Sequence, residues 1–131
     1  MGKILIVLSA ADHWMRADGT LAPAGFWAEE LINMHRVLVA AGQEVDVATP
    51  GGMTPVPDPD SLNQEFVGPD AARFKAYLEA LAPCLRSTLR LSDVSAATYG
   101  AVVIPGGHGP LEDLYKDPDM GRLLEEADRG E

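Results

Sequence analysis

Residues 101–109 read AVVIPGGHG, an apolar run that ends abruptly in a glycine-rich segment. Its apolar half, AVVI, is short and continuous, which is typical of a strand buried on both faces in a parallel sheet. The chain then breaks into a proline, two glycines and a histidine. Because ligands of parallel α/β sheets bind beyond the carboxyl ends of the strands, the segment from Pro105 onward is a candidate functional site.

Apolar runs alternate with helical segments along the rest of the chain. The predicted strands are 3–8 (KILIVL), 44–48 (EVDVA), 88–91 and 101–104. The predicted helices cover 25–41, 69–81 and 117–128, with a loop at 10–24, a proline-rich loop from residue 50 and a helical turn at 92–97. This alternation predicts an α/β fold with parallel neighbours and right-handed crossovers. The segments that begin at Ser9 and Thr49 also follow predicted strands, so they are candidate site segments like the one from Pro105.

Composition limits the classes of protein and partner. The 131 residues suffice for one domain, and 47% hydrophobic with 23% charged residues is ordinary globular usage. A net charge of -10 disfavours nucleic acid and anionic membranes, which require clustered Lys and Arg. A single cysteine, Cys84, fits a reducing cytosol, and the apolar run at 4–8 is too short for a membrane span. We therefore expect a cytoplasmic protein without nucleic-acid or membrane partners.

Residues 24–31 read AGFWAEEL and place two glutamates side by side. At about 100° per residue, Glu30 falls within the apolar face of the predicted helix and Glu29 falls outside it. That face consists of Phe26, Trp27, Met34, Val37, Leu38 and Ala41. We therefore predict that Glu29 is solvated and that Glu30 points to the core side. Such a carboxylate is either an acid/base group or a structural group that caps a backbone amide or pairs with Arg.

The glycine turn and the remaining reactive side chains leave alternatives open. The amides of Gly106 and Gly107 can bind an oxyanion, but a plain tight turn also explains the pair. His108 lies in that turn, whereas His13 and His35 have no ligand spacing relative to it, so no metal site is predicted. Cys84 has no neighbouring histidine and is interpreted as a small buried hydrophobe.

Three motifs together resemble the ThiJ/PfpI superfamily, the class I glutamine amidotransferase-like domain. They are KILIVLS, GFWAEEL followed by AAGQEVDVATPGG, and YGAVVIPGGHGPLEDLYKDPD. The branch they resemble is that of the PfpI-type intracellular proteases and the glyoxalase III-like proteins. The resemblance implies a flavodoxin-like three-layer α/β/α sandwich with a mainly parallel sheet, incomplete at the C-terminus. It covers residues 1–131 as a single partial domain.

The resemblance also assigns roles to individual residues. Counting back twelve residues from Gly42 reaches Glu30, which matches the family glutamate that hydrogen-bonds a reactive cysteine. Gly107 matches the oxyanion amide, Gly106 belongs to the same oxyanion turn, and His108 lines the site. Trp27 and Trp14 are candidate walls of the substrate pocket. The family needs no cofactor, and its members usually form homodimers.

The family's nucleophile segment, of the form KPVAAVCHGP, has no counterpart in residues 1–131. Cys84 is in the wrong place to substitute. Three explanations compete: the chain is part of a longer protein, a second chain carries the Cys–His segment, or catalysis is lost. We favour the first explanation, because an end here would leave an apolar sheet edge exposed.

The resemblance implies a glyoxalase III-like reaction, from methylglyoxal to lactate, or a related deglycase reaction on a small aldehyde or acyl substrate. A cysteine peptidase or amidase of the PfpI type is the alternative enzyme. A stress chaperone without catalysis is an alternative of another class. A flavodoxin-like binding module is disfavoured by PGGHG and by Glu30.

Overall fold

The computed structural model describes residues 3–130 and is built on a four-stranded sheet. Its strands are β1 (Lys3–Val7), β4 (Val45–Thr49), β5 (Leu89–Arg90) and β6 (Tyr99–Val103), in the order β5-β4-β1-β6. All three neighbouring pairs are parallel. Two further strands, β2 (His13–Met15) and β3 (Leu21–Pro23), form a separate antiparallel hairpin.

The helices are α1 (Ala28–Ala40), α2 (Gln64–Val67), α3 (Ala71–Leu85) and α4 (Pro118–Arg129). Successive residues of β1 point to opposite faces of the sheet, which is the period expected for a strand. Leu5 and Val7 pack into a cluster with Met120 and Leu123 of α4. Ile6 and Leu8 pack into another with Leu31 of α1 and with the apolar side chains of α3. The protein therefore has the predicted α/β/α layers.

Three predicted element assignments are corrected. The loop at 10–24 contains the β2–β3 hairpin, because its strands pair with each other rather than with the main sheet. The proline-rich loop contains the short helix α2. Helix α3 continues beyond residue 81 and includes Pro83, which lacks the N–H that would donate to the carbonyl four residues earlier.

The predicted buried face of α1 is wrong. The buried residues of the helix are Ala28, Leu31 and Ile32, whereas Val37 is 61% exposed. The helix begins only at Ala28, and Trp27 before it is extended with φ -84° and ψ 117°. The projection treated Phe26 and Trp27 as helical, although both precede α1. The predicted face is therefore rotated around the helix axis away from the face that packs against the core. Within residues 3–130, none of the helices has both the length and the apolarity to cross a bilayer.

Tyr99 connects β6 to β4 across β1. Its hydroxyl donates to Oδ2 of Asp46 at 2.9 Å, and Nζ of Lys3 lies 3.7 Å from the same oxygen. Burial, followed by the hydrogen bond and the charge of Asp46, raises the pKa of Tyr99 to about 12. The outer strand is thus connected to the sheet interior by a phenol that stays protonated.

We expect a tyrosinate absorbance titration to show a component near pH 12, above the ordinary tyrosine pKa of 10.0. The fold favours the protonated phenol, so its stabilising contribution is complete below pH of about 10 and is lost as the pH rises through about 12. The Tyr99→Phe variant should lose this component, and Tyr115→Phe, whose ring is exposed, should retain it. A wild-type curve without the component would contradict the assignment.

Candidate functional site

Three backbone segments hold one another together at the carboxyl end of β6. The N–H of Trp27 donates to the carbonyl of Gly106 at 2.8 Å. The N–H of Phe26 donates to the carbonyl of Val56 at 3.1 Å, and its own carbonyl accepts the N–H of Asp58 at 2.8 Å. We call these segments, residues 25–27, 56–58 and 105–107, the strand-end ribbon. It places the start of α1, the proline-rich loop and the glycine turn side by side.

The glycine turn requires glycine at its second position. Gly107 has φ +126°, a region that side-chain-bearing residues rarely adopt, and a Cβ there would overlap the carbonyl oxygen of Gly25. At Gly106 an added Cβ would lie 2.8 Å from Oε1 of Glu30. The absence of side chains therefore lets the backbone amides of the turn approach α1 closely.

Glu30 reaches this turn from the first turn of α1. Its Oε1 accepts the N–H of Gly106 at 2.8 Å, and the positive end of the helix dipole favours its negative charge. The side chain is nevertheless exposed, so the prediction that it is buried is wrong. The contact with a backbone amide is the one expected for the structural alternative, and the acid/base role stays a prediction.

The two glycine amides differ in what they contact. The Gly106 N–H is used by Glu30. No acceptor for the Gly107 N–H lies within hydrogen-bonding distance among residues 3–130, and Gly107 is half-buried. Of the two amides, the Gly107 N–H is therefore the one without a partner among the described residues, as its predicted role as an oxyanion donor requires.

His108 is held between the hairpin and the proline-rich loop. Its ring stacks on Trp14 of β2, with the ring centroids 5.4 Å apart and an angle of 11° between the planes. Its Nδ1 lies 3.8 Å from Oδ2 of Asp58, whose side chain is only 4% exposed. Asp58 was not among the predicted site residues. The Asp-Pro pair at 58–59 indicates a helix cap, and no sequence signal connects it to His108.

The predicted site residues therefore meet at one end of the sheet. Glu30 accepts the N–H of Gly106, and His108 stacks on Trp14. Gly107 lies between Gly106 and His108 in the chain and bridges to Phe26. Trp27 contributes its backbone N–H, and its side chain is half-buried. Its role in substrate binding stays a prediction.

Asp113 is a second group that the sequence did not reveal. Its carboxylate accepts the hydroxyl of Ser9 at 2.8 Å, the N–H of Ala10 at 2.9 Å and the N–H of Leu114 at 2.6 Å. These bonds connect the end of β1 to the segment that follows the glycine turn. Asp113 thus holds the segment that follows the glycine turn against the end of β1.

The other two histidines have partners of their own away from Glu30 and Asp58. His13 pairs with Asp12 at 2.9 Å, and His35 contacts the hydroxyl of Tyr77 at 2.7 Å between α1 and α3. Burial lowers the pKa of His35. Within residues 3–130, no group of three or more His, Cys, Asp or Glu side chains has the arrangement of a metal site.

Cys84 is exposed near the end of α3, so its prediction as a buried hydrophobe is wrong. Its position in the last turn of the helix leaves the thiol outside the packed face. Partial burial and the nearby charge of Asp46 raise the pKa of the Cys84 thiol. This favours the unreactive thiol form, and the thiol is not part of the candidate site.

The fold and the site place this chain in a class of α/β proteins in which a glycine turn at a strand end lies beside a carboxylate side chain on a helix, here Glu30 on α1. The chain belongs to the ThiJ/PfpI-like family, whose family model matches residues 21–127. The resemblance found in the sequence is thereby confirmed. The protein/nucleic acid deglycase HchA of Pseudomonas aeruginosa strain LESB58 is 29% identical over 129 residues, covering 93% of this chain and 42% of that protein.

Solved structures confirm the flavodoxin-like fold. The Rapid Encystment Protein 24 KDa of Francisella tularensis superposes with a TM-score of 0.79 at 22% identity, over 99% of this chain and 55% of that one. Glyoxalase III of Candida albicans superposes with a TM-score of 0.77 at 20% identity, over 98% and 53%. The chain therefore spans about half the length of these relatives.

Proposed function

We propose that this chain supplies the acid/base and oxyanion part of a cysteine-dependent active site that converts methylglyoxal to lactate, or that carries out a related deglycase reaction. The observation that carries the proposal is the Glu30 carboxylate on the Gly106 amide, beside the free Gly107 amide. Family membership supports it, as do a deglycase among the relatives and a glyoxalase III among the structural neighbours.

The proposal places the nucleophilic thiol outside residues 1–131, either elsewhere in the same polypeptide or on a second chain. The exposed thiol of Cys84 lies outside the candidate site. Strand β6 is an outer strand of the described sheet, and its apolar neighbour Ile104 is 39% exposed. A free strand edge is a template for pairing with another strand. A segment paired there parallel to β6 would bring its own carboxyl end next to Gly107.

The residues of this chain would act in sequence. Attack of the thiolate on the aldehyde carbon forms a C–S bond and moves the carbonyl electron pair onto oxygen, which the Gly107 N–H stabilises. After that oxygen is protonated, Glu30 removes the proton from the same carbon and an enediol forms. Return of a proton to the neighbouring carbon gives a lactate thioester. Water then cleaves the thioester, releasing lactate and the thiol without net oxidation.

The alternative within the same family is hydrolysis of a peptide or amide, which uses the same thiol and oxyanion amide. It requires no removal of a proton from carbon. Incorporation of solvent deuterium at the methyl-bearing carbon of lactate therefore separates the two reactions. We expect this label when methylglyoxal is the substrate.

The proposal is tested on the protein as it is isolated from its source cells. Denaturing mass spectrometry first establishes whether a thiol-bearing segment accompanies residues 1–131. We then expect lactate to form from methylglyoxal without added glutathione, and thiol alkylation to stop it. A complete protein with this segment and no lactate formation would contradict the proposed function. Lactate formation by the 131-residue chain alone would contradict the external thiol.

A further inference from the structure

We propose that Asp58 is a positioning residue that keeps the proton of the neutral His108 ring on Nδ1 and leaves Nε2 free to accept a hydrogen bond from a substrate hydroxyl group. The contact of Nε2 with substrate rests on the proposed function. The position of the ring and its tautomer do not.

Asp58 is fixed by its backbone and by one carboxylate oxygen. The strand-end ribbon holds its N–H, and its carbonyl accepts both the N–H of Ser61 at 2.9 Å and the hydroxyl of Ser61 at 2.6 Å. Oδ1 accepts the N–H of Asp60 at 2.9 Å. The other oxygen, Oδ2, is therefore held in place and faces His108.

The contact with His108 gives Oδ2 a charged or polar neighbour in a buried position. The 3.8 Å separation from Nδ1 is an ion-pair distance and exceeds that of a good hydrogen bond. A buried carboxylate is costly without such a neighbour. Its field favours a proton on the nearer ring nitrogen, which is how carboxylates commonly set a histidine tautomer.

Trp14 restrains the same ring from its face. The stacked indole and the Asp58 carboxylate together restrict rotation of the imidazole, although 55% of the His108 side chain is exposed. Nε2 is the nitrogen remote from Asp58, and no partner for it is found among residues 3–130. A ring held in this way presents an unprotonated Nε2, which can accept a hydrogen bond from a hydroxyl group of a small aldehyde-derived substrate.

The test is the Asp58→Asn variant. Asparagine keeps an oxygen for the Asp60 N–H and replaces Oδ2 by an amide NH₂, which repels an Nδ1–H. Long-range ¹H–¹⁵N spectra of labelled protein at alkaline pH show which ring nitrogen carries the proton, and the His108→Gln variant assigns the signals. We expect Nδ1–H in the wild type and mainly Nε2–H in Asp58→Asn. The ring-current shifts from Trp14 should also decrease.

The matched control is Asp60→Asn, because the Asp60 carboxylate is exposed and accepts no hydrogen bond among the described residues. We expect this variant to keep the wild-type tautomer. A wild-type His108 with the proton on Nε2 overturns the proposal, even if Asp58→Asn fails to fold. An unchanged tautomer in folded Asp58→Asn also overturns it.

Turnover gives a second readout in the complete enzyme. We expect Asp58→Asn to lower kcat on the order of tenfold with KM little changed, because a misplaced group slows the reaction more than it weakens binding. If the tautomer changed and kcat did not, the proposed contact of Nε2 with substrate would be overturned, whereas the effect of Asp58 on the tautomer would stand. A wild-type enzyme that forms no lactate would contradict the proposed function and leave the tautomer result standing.

Discussion

Replacement of Glu30 by Gln is expected to lower lactate formation by a factor of about 10²–10⁴ while leaving the fold intact. Glutamine retains a carbonyl oxygen that can accept the Gly106 N–H, now 2.8 Å from Glu30 Oε1. It cannot accept a proton from a thiol or from a substrate carbon. The substitution therefore removes the proposed chemistry and keeps the hydrogen bond. Initial rates in the complete enzyme measure the loss, and circular dichroism checks the fold.

The neighbouring residue provides the matched control. Glu29 is exposed on the same helical turn, and no hydrogen bond or ion pair to it is found among residues 3–130. Glu29→Gln removes the same charge from the same part of the helix and should keep near wild-type turnover. Equal losses in the two variants would indicate a general effect of charge, and full activity in Glu30→Gln would refute its acid/base role.

Replacement of Gly107 by Ala is expected to destabilise the fold by about 3 kcal/mol or more, from backbone strain plus a steric overlap. The backbone sits at φ +126°, and the new Cβ would overlap the carbonyl of Gly25. Relief of this overlap requires movement of the strand-end ribbon, which the hydrogen bonds around Phe26 oppose. Urea unfolding followed by tryptophan fluorescence measures the free energy of unfolding.

Variants at two other glycines serve as controls that separate backbone strain from steric overlap as causes of the lower free energy of unfolding. Gly19 also has a positive φ, +86°, but no atom lies within 4 Å of an added Cβ, so Gly19→Ala should cost only about 1–2 kcal/mol of strain. Gly121 in α4 has an open environment and no positive φ, so Gly121→Ala should stabilise by up to about 1 kcal/mol. A Gly107→Ala variant no less stable than Gly19→Ala would rule out the overlap.

The sequence predicted the sheet because its central strands carry a local signal. KILIVL and AVVI are continuous apolar runs, and each is followed by residues that end a strand. PGGHG was predictable as a site for the same reason, since two glycines at a strand end expose backbone amides. The helical projection and then the family motifs selected Glu30 from the two adjacent glutamates, and the structure brings it to Gly106.

Tertiary contacts explain what the sequence did not predict. Each strand of the hairpin has only three residues, too few to show an alternating pattern. The solvent exposure of Glu30 depends on where α1 begins, and that point is set by the hydrogen bond from Trp27 to Gly106. Asp58 and His108 belong to loops that are distant in sequence and adjacent only because of the strand-end ribbon.

The peptide group of Gly106 constrains the number of residues between Trp27 and Glu30. Its N–H binds the Glu30 carboxylate, and its carbonyl binds the N–H of Trp27. Trp27 immediately precedes α1 and Glu30 lies in its first turn, so their spacing is set largely by the helical repeat. Insertions are tolerable at the tip of the hairpin, between Met15 and Leu21. A single residue inserted between Trp27 and Glu30 would rotate the carboxylate by about 100° away from the turn. This short interval, more than any loop around it, restricts how the chain can vary in length.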